Sequence, residues 1–84
     1  MPTILRFRGF NIIIFSDDHD PPHVHVRGKG VQLSYWLNCP DGHVSYRDGE
    51  GRISPNDQRA LEDFLNDNVG ILCERWTEID DQRS

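Results

Sequence analysis

Pro21 and Pro22 stand side by side, and no other feature limits the fold of this chain so sharply. Each proline removes a backbone donor and biases the residue before it to extended geometry, so no helix passes through this point. Residues 16–22 are therefore predicted to form a loop, with regular structure on either side. The same stretch is rich in chemistry. Residues 19 to 25 read His-Asp-Pro-Pro-His-Val-His and hold three of the four histidines, beside Asp17, Asp18 and Asp20.

Before the prolines the pattern is that of strands. Ile4 to Phe7 is apolar with Arg6 interposed, Arg8-Gly9 offers a tight reversal, and Phe10 to Phe15 is a second run rich in Ile and Phe. That run is apolar on both faces apart from Asn11, which places it centrally in a sheet. After the prolines, His23 to Arg27 resumes as a strand, Gly28-Lys29-Gly30 turns, and Val31 to Leu37 alternates. Val31, Leu33, Tyr35 and Leu37 share one face of it, while Gln32, Ser34 and Trp36 share the other. Asn-Cys-Pro-Asp-Gly at 38–42 is a turn signal, and His43 to Arg47 reads as a short edge strand before a flexible Asp-Gly-Glu-Gly.

The second half is helical. Ser54 is the expected N-cap, with Pro55 at the first helical position and Asp57 placed for a capping box. Leu61, Phe64, Leu65, Leu72, Trp76 and Ile79 follow at helical spacing and form an apolar stripe. Asn66-Asp67-Asn68-Val69-Gly70 interrupts it with poor helix formers, so a kink or break belongs there. Asp80 to Ser84 is expected to fray. Eighty-four residues make a single domain, 1–84. The fold class is α+β: a small, mostly antiparallel sheet of four or five strands followed by a kinked C-terminal helix or two short helices.

Composition narrows the function classes. The longest apolar run, Ile12 to Phe15, is far short of the ~20 residues of a membrane span. Cys39 and Cys73 are too few for a disulfide framework and follow no apolar signal segment, so free thiols in the reducing cytoplasm are expected. The net charge of −5 is uneven. Residues 1–37 carry four basic against three acidic side chains, and residues 38–84 five against eleven. Such a chain gains little from counterion release, which argues against broad duplex DNA binding. Arg27 and Lys29, in a basic strip with Arg6 and Arg8, remain candidates for a local phosphate or partner contact. The acidic C-terminal half suits a basic protein partner.

The histidine run carries the candidate site. His23 and His25 lie two apart on a strand, so both point away from the core that Val24 and Val26 face, with Cβ atoms about 6–7 Å apart. Two imidazoles so placed can converge on one ion such as zinc, with His19 folded back as a third ligand and Asp17, Asp18 or Asp20 as a further ligand, base or orienter, Asp18 being the first choice among them. His19, His23 and His25 also suit metal-free acid–base catalysis on RNA, with Arg27 or Lys29 holding a phosphate. A third reading needs no chemistry, the imidazoles hydrogen-bonding the aspartates to shape the loop. His43 is expected to be an exposed strand residue, and Cys73 a border residue of the core. Trp76 is assigned to packing, and Gly28-Lys29-Gly30 to a hairpin turn rather than a phosphate loop.

The opening Met-Pro-Thr-Ile-Leu-Arg-Phe-Arg-Gly-Phe, the Ile-rich strand, the run Asp18 to Val26, Ser54-Pro55 and the helical tail with Trp76 together resemble a small bacterial family, domain of unknown function 4160. His19, Pro21, Pro22, His23 and His25 carry the most specific part. The resemblance implies a short prokaryotic protein encoded beside another small protein, in the manner of a two-gene toxin–antitoxin module, and brings no activity with it. The expected function is thus a cytoplasmic toxin-like or partner-binding protein with the histidine loop as its site. A metal-dependent hydrolase or nuclease is one alternative, and an acidic protein that inhibits a basic partner is another.

Overall fold

The computed structural model describes residues 3–83. Five strands form one antiparallel sheet in the order of the chain: β1 (Thr3–Phe7), β2 (Phe10–Ile13), β3 (His23–Gly28), β4 (Val31–Trp36) and β5 (Ser45–Glu50). Two helices follow, α1 (Pro55–Asp67) and α2 (Val69–Arg83). Two of the connections are two-residue hairpin turns with left-handed backbone at both positions, Arg8-Gly9 (φ 49° and 82°) and Lys29-Gly30 (φ 50° and 77°). That geometry matches the twist of the flanking strands.

A meander alternates its ends. Both tight turns therefore lie at one end of the sheet, and the two long loops, 14–22 and 37–44, lie at the other. Cross-strand register separates two faces. Ile12, Val26 and Leu33 align on the inner face, where Phe10, Ile14, Val24, Val31, Tyr35 and Leu37 are also buried. Leu61 and Leu65 of α1 and Leu72 and Trp76 of α2 close this core from above. Tyr35 is 1% exposed and donates its hydroxyl to Glu62 Oε2 at 3.0 Å. Burial first, and then that bond to a carboxylate, push its phenol above the ordinary range.

The boundaries depart from expectation by more than one residue at three places. The last strand begins at Ser45, not His43, and continues through Asp48-Gly49-Glu50. An Asp-Gly pair reads as a turn, but here Gly49 lies flat against β4, where a Cβ would come within 2.6 Å of the Gln32 carbonyl oxygen. The glycine admits close strand approach. β2 stops at Ile13, two residues short of Phe15, as the chain leaves the sheet for the proline loop. α2 runs on through Arg83 where fraying was expected, its last turns held by half-buried Ile79 and Asp80; Ser84 lies outside the described residues. The break between helices falls at Asn68, whose side chain bonds back to the Phe64 carbonyl at 2.8 Å.

Two further expectations are corrected. Cys39 and Cys73 are not free thiols: they form a disulfide between the 37–44 loop and α2, with Cα atoms 5.9 Å apart. Counting cysteines could not reveal that the loop folds onto that helix face. The capping box is half present. Ser54 Oγ accepts from the Asp57 amide at 3.1 Å, but the Asp57 carboxylate turns to Arg8 and Lys29, each 3.8 Å away. No helix of the described residues is long and apolar enough to cross a membrane.

Candidate metal centre

The sheet face opposite α1 carries the polar residues. Across it run two rows set by strand register: Ile13, His25, Ser34 and Asp48, then His23, Trp36 and Ser45. The proline loop folds over the first part of this face and delivers Asp18 to both histidines. A reverse turn makes that possible. The Asp18 amide donates to the Phe15 carbonyl at 3.1 Å, and Asp18 Oδ2 accepts from the Phe15 amide at 3.0 Å.

The carboxylate's other oxygen is the centre of the site. Asp18 Oδ1 lies 3.3 Å from His25 Nε2 and 3.5 Å from His23 Nε2. The Pro21 carbonyl sits 2.9 Å from His23 Nδ1, and a carbonyl can only accept, so Nδ1 carries the proton. In the neutral ring Nε2 is then a bare lone pair facing a carboxylate oxygen. Two acceptors face one another stably only around a proton or a cation. The group could hold a metal ion. Three ligand atoms from Asp18, His23 and His25 lie within 4.8 Å of one another. Tetrahedral zinc ligands at ~2.0–2.2 Å would be roughly 3.4 Å apart. Two imidazoles and one carboxylate form a donor set typical of zinc and of non-haem iron, and a backbone carbonyl holding the second ring nitrogen is the usual way a ligating histidine is oriented. The side chains are 7% (His23), 13% (Asp18) and 25% (His25) exposed, so access is from the His25 side.

The expected site residues divide accordingly. His23, His25 and Asp18 are brought together. His19 is exposed and stands outside the group, because the turn at Phe15 spends its reach on Asp18. Asp17 is exposed, and Asp20 accepts from Trp76 Nε1 at 3.2 Å. Arg27 shares the histidine face, its guanidinium 5.1 Å above the Phe15 ring, whose edge meets His25 at 4.8 Å between centroids. Lys29 is at the far end of the sheet beside Asp57. His43 is exposed, in the loop before β5. Sequence reasoning missed Ser34, Arg47 and Asp48. Ser34 Oγ, cross-strand from His25, donates to Asp48 Oδ1 at 2.6 Å and accepts from Arg47 Nη1 at 3.2 Å. Alternation puts Ser34 on this face, but only the register across β4 and β5 sets the trio beside His25.

A family model described as "Domain of unknown function (DUF4160)" matches residues 9–77, from the first hairpin turn into α2. The chain belongs to the DUF4160 family. The match takes in the whole candidate centre of this DUF4160 protein. A curated protein from Bos taurus named U6 snRNA (guanine-N(2))-methyltransferase THUMPD2 is 32% identical over 77 residues, which is 86% of this chain and 15% of that protein. The DUF4160 chain thus spans about 15% of that relative's length. No solved structure matches significantly.

Proposed function

We propose that this DUF4160 protein is a small metal-dependent hydrolase acting on a phosphate ester, with Asp18, His23 and His25 as the metal ligands. One observation carries the reading: two imidazole nitrogens aim at a single carboxylate oxygen, and the Pro21 carbonyl holds the Nδ1 proton of His23, which leaves Nε2 of the neutral ring to ligate. When bound, a zinc-class ion supplies Lewis acidity toward an ester or a water. The protein's own part is orientation. Pro21 fixes the His23 ring, the Phe15 amide fixes Asp18, and Phe15 leans on His25. Arg27, exposed on the same face, would hold an anionic group near His25. RNA is the proposed substrate. In support, the THUMPD2 relative is named for a small nuclear RNA, while the acidic balance disfavours extended duplex contacts.

A second reading, a toxin-like or inhibitory protein in a two-gene module that binds a basic partner, is favoured by the charge of the C-terminal half and by Glu74 and Glu78 beside an apolar groove at the disulfide. The two are separable. Elemental analysis of untagged protein should find a transition metal, and added zinc should raise the melting temperature, the gain reaching about 2.7 kcal/mol at a hundredfold excess over Kd. The gain should shrink as pH falls, since only unprotonated nitrogen ligates. Asp18→Asn with His25→Gln should abolish both the zinc response and cleavage of a single-stranded RNA. A wild-type chain indifferent to zinc would refute the metal reading, and a variant that still captures a basic partner would favour the second.

A further inference from the structure

His23 sits between two tryptophans, and each tryptophan stands three residues from one half of the disulfide. Trp36 meets the imidazole edge-on at 5.7 Å between centroids, and Trp76 lies tilted against it at 5.3 Å. Cys39 follows Trp36 by three residues as β4 ends, and Cys73 precedes Trp76 by three on α2, about one helical turn. Through the short segments 36–39 and 73–76, the sulfur bridge therefore ties together the two rings that pack on a proposed metal ligand. The same elements hold the loop that carries Asp18. Trp76 Nε1 donates to Asp20, and the Leu37 amide donates to the Pro22 carbonyl at 3.0 Å. α2 buries Leu72 and Trp76, with Val69, Cys73 and Ile79 half-buried. The bridge is also within reach of solvent. Cys39 is exposed and borders two grooves, one of about 760 Å³ with Cys73 and Glu74 and one of about 500 Å³ with Pro21, Pro22 and Trp36.

We infer that the Cys39–Cys73 pair is a redox control on the Asp18–His23–His25 centre, the oxidised form clamping Trp36 and Trp76 against His23 and the reduced form loosening that contact. The inference rests on the metal reading above and names its regulation. The chemistry is a two-electron exchange with a cellular dithiol. The Sγ–Sγ bond breaks, Cys39 and Cys73 each gain an electron and a proton, and the dithiol becomes a disulfide. With the bridge open, α2 is tethered at this end by its apolar contacts and the Trp76–Asp20 bond, and the His23 ring loses its fixed wall. Metal affinity falls because ligand orientation is lost, an effect commonly worth 10–100-fold when the supports of a ligating histidine are removed.

The test compares oxidised wild type with Cys39→Ala/Cys73→Ala, which cannot bind zinc through thiols. Zinc Kd by calorimetry should rise at least tenfold in the variant, and the His23 ring signals in a ¹H–¹³C spectrum should move. Wild type reduced with a phosphine should show the same displacement of the His23 signals, which guards against a peculiarity of the alanines. Equal affinities within twofold, together with coincident His23 signals, would overturn the inference. So would wholesale unfolding of both reduced chains, since the bridge would then serve the fold at large. If oxidised wild type binds no zinc, the metal reading fails by itself, and the His23 signals decide the coupling alone: movement on reduction sustains it, coincidence ends it.

Discussion

Tyr35 shows how one buried group ties the fold to pH. Its phenol titrates above its unfolded value of about 10, so the folded state holds that proton more tightly than the unfolded chain does. The contribution to stability is full below pH 10 and is lost as pH rises beyond it, by up to about 1.4 kcal/mol per pH unit. Urea melts between pH 9 and 11 should show this alkaline loss in wild type and not in Tyr35→Phe, which also forgoes the bond to Glu62. At the candidate centre, legibility stopped at the same scale. The His-x-His pair was readable because a strand sets side-chain period at two. Asp18 was one aspartate among three until the turn at Phe15 singled it out, and His19 was favoured only by residue type. Ser34, Arg47 and Asp48 meet through pairing across β4 and β5, which no local pattern encodes.

Elements were more legible than their ends. Positions of β1, β3, β4 and the two-helix tail follow from apolar period, from proline and from Ser54, all of which act locally. The sequence pattern ends β5 early because Asp48-Gly49 signals a turn, whereas β4's nearness demands a glycine there. At α1, Ser54→Ala should lower stability by about 1 kcal/mol, the usual cost of a stranded first-turn amide, as read by thermal melts. A double-mutant cycle with Asp57→Ala should be close to additive, since the Asp57 carboxylate faces Arg8 and Lys29 instead of closing a box. At α2, Trp76→Ala should cost about 3–5 kcal/mol, typical of a truncated core aromatic. A melting temperature left unchanged would show that α2 gains nothing from that ring.

At the scale of the molecule, the meander divides its labour by end. The tight turns meet the start of α1 through Asp57, while the long loops, α2 and the histidines gather at the other end. A meander also has two rims, and β5 forms one of them with all six residues exposed. Its outer row of amides and carbonyls is a template on which a strand from another copy could add, and such rims seed fibrils in many small sheet proteins. Arg47, Asp48 and Glu50 stand along this rim and set charge against flat stacking. Replacing all three by Thr should leave the monomer folded at low concentration yet make it grow into thioflavin-positive assemblies as concentration rises. The residues that escort the histidine face on one side thus also keep copies of the chain apart on the other.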